Sequence, residues 1–283
     1  MNRKIVLVCP DNRSGHLQVQ SVSYSIKAAG YLTEIQALKP SDLFASLLAQ
    51  SADVAVISAD SLPVDLPDEL ELIATTQREH AHDVVLSNIR NQALSNVDMK
   101  IGVSSLLRVA LVRHYYPSTT PVLFSTMDEL LRVLSSGGVD AGIVSHHEAI
   151  LNGAGDYITD RIESSYFTPA SGQGATAVLC YKKLDYRKKE VIQQWVNHEE
   201  TEDCIRVERS FLKSLPITAN VLPFSYAQYQ GALITLKAGA ITTNGKDLFK
   251  AKRSTPLGES HNLGKKVASE VLQLISGHSV HAF

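Results

Sequence analysis

Over the first two thirds of the chain, apolar runs of strand length alternate with stretches whose apolar residues recur at helical spacing. Residues 5–9 form an unbroken apolar run, which predicts a buried strand. A polar turn over 10–15 follows, then a helix to about Ala29, with Leu17, Val22 and Ile26 inward and Gly30 as its stop. Residues 31–37 alternate as a second strand. Lys39-Pro40-Ser41 opens a helix that places Leu43, Phe44, Leu47 and Leu48 on one side. Further strands are predicted at 52–57, 70–75 and 83–87.

The stretch 100–114 holds a short apolar strand and then Ser104 and Ser105 where an N-cap belongs. Leu106, Leu107, Ala110 and Leu111 follow on one helical face. Residues 121–124 read as a strand, and Thr126-Met127-Asp128-Glu129 reads as a capping box before a helix ending at Gly137-Gly138. The strand at 140–144 comes next, with extended segments at 157–162 and 166–169. Alternation of this kind predicts an α/β layer structure with a largely parallel sheet. After about Lys183 the order changes to two successive helices, 186–197 and 201–215. Strands follow, with a hairpin at Asn244-Gly245, and then a last helix over 263–275, which is an α+β order.

A chain of 283 residues can bury more than one core. Its net charge of -2 gives no bulk attraction for nucleic acid. Cys9, Cys180 and Cys204 are scattered without metal-ligand spacing and point to a reducing compartment. The apolar run after Met1-Asn2-Arg3-Lys4 stops at Pro10, short of a signal segment, and no stretch is long enough to span a bilayer. The expectation is a cytoplasmic protein with neither nucleic-acid nor membrane partners.

Chemistry-bearing residues gather at predicted strand ends and turns: Arg13, Ser14, Ser58, Ser104, Ser105, Arg108 and Gln173. In open α/β sheets that edge receives ligands. Free N–H groups at a helix start, two hydroxyls and a guanidinium suit a carboxylate or phosphate. Any one of these residues alone also serves as a cap. Together they favour an anion-accepting cleft between two lobes. Other groupings are weaker. His146-His147-Glu148 would send neighbouring imidazoles apart if the strand continued. His80 and His82 show no third ligand. Cys9 reads as a buried structural cysteine before it reads as a nucleophile. Ser171-Gly172-Gln173-Gly174-Ala175 is a glycine turn and not a dinucleotide fingerprint. No metal is expected.

Several segments, taken in order, resemble the hydroxymethylbilane synthase (porphobilinogen deaminase) family. They are Ala52-Asp53-Val54-Ala55-Val56, Leu62-Pro63-Val64-Asp65-Leu66-Pro67, Arg78-Glu79 with Asp83, and Ile101-Gly102-Val103-Ser104-Ser105-Leu106 with Arg108. Pro169-Ala170 with Gly172-Gln173-Gly174-Ala175 follows, then His198 with Thr201, and Glu208-Arg209-Ser210-Phe211-Leu212. The resemblance implies two periplasmic-binding-protein-like α/β lobes facing a cleft plus a small C-terminal α+β domain. The boundaries it suggests are 1–82 with 166–182, 83–165, and 183–283. It implies tetrapyrrole biosynthesis, in which porphobilinogen units are joined with loss of ammonia on a thioether-linked dipyrromethane primer. In that chemistry an aspartate assists ammonia loss and arginines hold the acetate and propionate groups.

This chain departs from that pattern where the chemistry lies. Ser61 stands at the aspartate position and Asp60 at a lysine position. Ala219 stands at the primer cysteine, and Cys204 in the preceding helix is a poor substitute. Leu107, Phe124 and Leu130 stand where arginines are expected. Few residues separate Ala37 from Phe44, where the family carries a longer lid. A hydroxyl cannot balance a developing cation as a carboxylate does, and alanine cannot form a thioether. The expectation is a catalytically degenerate relative with no retained catalytic residue and no attached cofactor. It would bind a small anion such as a pyrrole carboxylate, or pair with a tetrapyrrole-pathway protein. The alternative is an active deaminase with displaced catalytic groups.

Overall fold

A computed structural model describes residues 3–89, 94, 98–216 and 220–280 of the chain. In chain order the elements begin with β1 (Lys4–Pro10), α1 (Arg13–Ala28), β2 (Leu32–Leu38), α2 (Leu43–Leu48), β3 (Val54–Ser58) and β4 (Leu70–Thr75). Next come β5 (Asp83–Leu86), β6 (Lys100–Val103), α3 (Leu106–Tyr115), β7 (Thr120–Leu123), α4 (Met127–Ser135), β8 (Ala141–Ser145), α5 (His146–Leu151) and β9 (Ile158–Arg161). The remainder is β10 (Thr176–Tyr181), α6 (Tyr186–Val196), α7 (Glu199–Ser214), β11 (Val221–Gln230), β12 (Leu233–Thr242), β13 (Leu248–Pro256) and α8 (Leu263–Val280). They divide into two compact units, Met1–Glu79 with Gly172–Asp203, and His80–Ser171 with Cys204–Phe283.

The first unit is built on a five-stranded sheet ordered β2-β1-β3-β10-β4. β1 pairs in parallel with β2 and β3, whereas β10 returns antiparallel between β3 and β4. The largely parallel sheet predicted from the sequence is therefore a mixed one. Alternation of strands and helices does not reveal that a strand nearly 120 residues further on inserts antiparallel beside β3. Ile5, Leu7 and Cys9 of β1, Val54 and Val56 of β3, and Val178 and Cys180 of β10 share one core with Val19, Val22 and Ile26 of α1. Leu17 and Leu48, read as inward, are about 40% and 41% exposed. Leu17 lies on the face of α1 opposite the buried Val19, Val22 and Ile26, and Leu48 lies one residue past buried Leu47 at the end of α2, which is only six residues long.

The second unit holds a five-stranded sheet ordered β7-β6-β8-β5-β9 and a three-stranded antiparallel sheet β11-β12-β13. The larger sheet repeats the mixed plan: β6 pairs in parallel with β7 and β8, and β5 runs antiparallel between β8 and β9. The three-stranded meander turns at Gly231 and at Gly245, both left-handed in φ. Only the second turn was legible in the sequence. α8 covers the meander through Leu263, Val267, Ala268 and Val271, and continues past the predicted end near Ile275. Tyr166, expected in an extended segment, sits in a turn closed by its N–H to the Glu163 carbonyl (2.9 Å), while Phe167 is buried. Among the described residues, no helix is long and apolar enough to cross a membrane.

Candidate functional site

In the first unit, chemistry-bearing residues collect where β1 and β3 end and antiparallel β10 begins. Asn12, in extended backbone, caps α1: its Oδ1 accepts from the Gly15 N–H at 2.7 Å. Arg13 is exposed in the first helical position and Ser14 is half-buried. One turn on, buried Gln18 donates from Nε2 to Ser58 Oγ at 3.3 Å. β3 ends at Ser58, and residues 59–61 make one tight helical turn. The strand does not continue, so Asp60 and Ser61 do not alternate across a sheet. Both are exposed, and Ser61 Oγ donates to Asp60 Oδ1 at 3.4 Å.

The glycine turn packs directly against this edge. Ala59 N–H donates to the Ala175 carbonyl (2.9 Å) and Ala175 N–H to the Gly172 carbonyl (3.1 Å). Gly172 has φ +79°, and a Cβ there would lie 2.5 Å from the Ala59 carbonyl carbon and oxygen. The position therefore demands glycine both for its conformation and for the close approach. Gln173 is buried in the turn. The structure thus brings Gln18, Ser58 and the glycine turn to one edge, with Ser14 half-buried and Arg13, Asp60 and Ser61 toward solvent.

In the second unit, the corresponding edge lies where β6 and β8 end and β5 begins. Ser105 caps α3, its Oγ accepting from Arg108 N–H at 3.2 Å. Arg108 turns inward: Nη2 donates to Asp83 Oδ1 and Nη1 to Ser104 Oγ, each at 2.9 Å. Ser104 Oγ in turn donates to Glu148 Oε2 at 3.1 Å, and Glu148 N–H is capped by Ser145. Arg108 and Asp83 are both buried, so the guanidinium charge is balanced inside the fold.

Next to this network His80, His82 and His146 cluster, their rings tilted or edge-on with centroids 4.7–5.3 Å apart. Burial, then the charges of Arg161, His146 and His80, push His82 down to about 4, against the opposing pull of Asp83. The third ring was invisible in the sequence because it depends on pairing register. Asp83 faces Ser145 across antiparallel β5 and β8, which sets His82 beside His146. His147 is buried within α5 and joins none of these ring pairs. Among the described residues, no group of three or more His, Cys, Asp or Glu side chains is arranged to hold a metal ion.

All three thiols are internal. Cys9 and Cys180 are fully buried in the core of the first unit, and Cys204 is buried in α7. Burial, with Asp11 nearby, raises the Cys9 thiol, and burial beside Glu71 pushes Cys180 up to about 12. Ala219 lies outside the described residues. Phe124 and Leu130 are buried in a core of the second unit, and Leu107 packs against another. Sequence reasoning missed Asn12 and Gln18. Asn12 is a capping residue type three positions before Gly15, and Gln18 is a polar residue on the buried stripe of a helix.

Residues 28–189 match the family model described as porphobilinogen deaminase, dipyromethane cofactor binding domain. The chain is 31% identical over 236 residues to porphobilinogen deaminase of Desulfosudis oleivorans, covering 82% of this chain and 76% of that one. It is 28% identical over 269 residues to porphobilinogen deaminase of Cytophaga hutchinsonii, covering 94% and 84%. Among solved structures, a Bacillus subtilis lipoprotein described as methionine-binding aligns with TM-score 0.50 at 9% identity, over 71% of this chain and 93% of that one. That likeness bears on the fold alone, which is α/β of the periplasmic-binding-protein kind. Matched by the family model over more than half its length, the chain belongs to the porphobilinogen deaminase family of tetrapyrrole biosynthesis.

Proposed function

We propose that this chain is a non-catalytic member of the family, which holds a small anion of the pyrrole-carboxylate kind without joining such units together. The burial of all three thiols carries the reading. A thioether-held dipyrromethane needs a thiolate that a pyrrole can approach, and three buried sulfurs, two of them (Cys9 and Cys180) with raised pKa, offer none. The residues present therefore do not fit an attached primer. Ser61 supports the same reading, since its hydroxyl cannot carry the charge that the family's aspartate supplies. So do Leu107, Phe124 and Leu130, which serve hydrophobic cores where the resemblance calls for arginines.

What remains suits anion binding in the first unit. Arg13 is exposed at the start of α1, a helix of 16 residues whose first N–H groups lie beside Ser14. Ser58 and Gln18 add neutral donors at the same strand ends. A pathway protein is the other partner this reading admits, and three cysteines outside any disulfide are consistent with a reducing cytoplasm. One observation favours an active deaminase instead. Because 59–61 is a helical turn, the exposed Asp60 carboxylate sits within hydrogen-bond reach of Ser61 and could act in the aspartate's place.

Calorimetric titration with porphobilinogen, together with a colour assay for its loss, separates the readings. The proposal expects saturable binding weakened by Arg13→Gln, with porphobilinogen unconsumed. Steady consumption that disappears in Asp60→Asn would establish the active alternative.

A further inference from the structure

A recess of about 400 Å³ lies in the second unit, apart from the network around Arg108. One face of α3 supplies Leu106, Val109 and Arg113, at i, i+3 and i+7. Leu123 of β7, Leu222 of β11 and Asn244 of the β12–β13 turn also line it. Leu106 and Leu123 are 58% and 49% exposed, large apolar side chains left in water at the mouth of a concave surface. The volume falls within the range of small-molecule sites.

Polar groups occupy one end. Arg113 is exposed and donates Nη1 to the Thr243 carbonyl at 3.1 Å, which anchors the guanidinium beside Asn244. Asn244 Oδ1 accepts from Thr242 Oγ1 (2.7 Å) and Lys246 N–H (2.9 Å), which leaves its Nδ2 as a donor. Among the described residues that line the recess, none is acidic. An apolar wall ending in a cation and an amide donor is complementary to one ligand shape, an apolar body bearing a single carboxylate.

We propose that this recess is a second binding site, for a small amphipathic monocarboxylate whose carboxylate meets Arg113 and Asn244 while its body covers Leu106, Val109, Leu123 and Leu222. The site is independent of the function proposed above. Its residues share nothing with Arg13, Ser58 or Ser61, so either reading can fail alone.

The test titrates 2-naphthoate into the full chain by calorimetry, with neutral 2-naphthalenemethanol as the comparison. The expected result is one saturable site that prefers the carboxylate. Arg113→Gln and Leu123→Ser should each weaken it at least tenfold, and Arg113→Lys should restore part of the loss. Both positions are exposed, and melting curves of the variants confirm that they fold. Absence of saturable binding, equal affinity for the alcohol, or affinity unchanged in both weakening variants would overturn the proposal.

Discussion

Arg108 Nη2 lies 2.9 Å from Asp83 Oδ1, and both side chains are almost entirely shielded from water. α3 starts directly after β6, so this ion pair pins the helix start to β5. Arg108 also reaches Ser104, and Ser104 reaches Glu148 of α5. Removing one partner leaves a buried charge without its counter-ion, which typically costs about 3–5 kcal/mol. Arg108→Met and Asp83→Leu should each lower unfolding free energy by about that amount in urea titrations. The double variant should recover much of the loss. Single-variant losses below about 1 kcal/mol would mean that the pair behaves as a surface one.

Gly172 is a second point of structural demand. Alanine there meets left-handed strain of about 1–2 kcal/mol and a Cβ 2.5 Å from the Ala59 carbonyl. Gly172→Ala should destabilise by at least about 2 kcal/mol and disturb the Ser58–Ser61 turn against which it packs. Gly30, also left-handed but with open space around its Cβ position, should lose only the strain portion when changed to alanine. Equal losses at the two positions would contradict the close approach at Ala59.

The histidine cluster makes stability depend on pH. His82 is held neutral in the fold, its pKa lowered from 6.5 to about 4. The unfolded chain takes up the proton first as pH falls. Stability is therefore complete above about 6.5, declines between about 6.5 and 4, and levels off below. The loss should approach about 3 kcal/mol for this residue. His82→Gln should flatten the decline, as measured by urea midpoints across the window. An unchanged slope would show that other groups govern it.

The thiols should be inert in the native protein. With Cys180 pushed up to about 12 and all three sulfurs buried, a disulfide reagent should label almost none at pH 8, and all three after denaturation. Fast native labelling at one position would identify an approachable thiolate and remove the main support for the non-catalytic reading.

How much of this was legible in the sequence follows from how local each signal is. The Ser105 cap, the Thr126 cap on Glu129 N–H and the turn at Gly245 were readable because each involves residues a few positions apart. The strand-end placement of Ser58 and Ser104 was readable for the same reason. The ion pair of Arg108 was not, since Asp83 lies 25 positions away in sequence, and the Ser104–Glu148 bond spans 44 positions; both partners are brought in only through sheet pairing. The histidine cluster needed the β5–β8 register, and the mixed sheets needed strands inserted from distant parts of the chain. Leu17 failed for a different reason: five and nine positions before Val22 and Ile26, it falls on the opposite face of α1, and the helical period places Val19 in the buried stripe instead.

The central claim is that this scaffold holds its ligand without a covalent pyrrole primer. Intact mass spectrometry of the chain, before and after incubation with porphobilinogen, tests it most directly. The account predicts the mass of the unmodified 283-residue chain in both samples. An added dipyrrole, or a ladder of further pyrrole units after incubation, would contradict it.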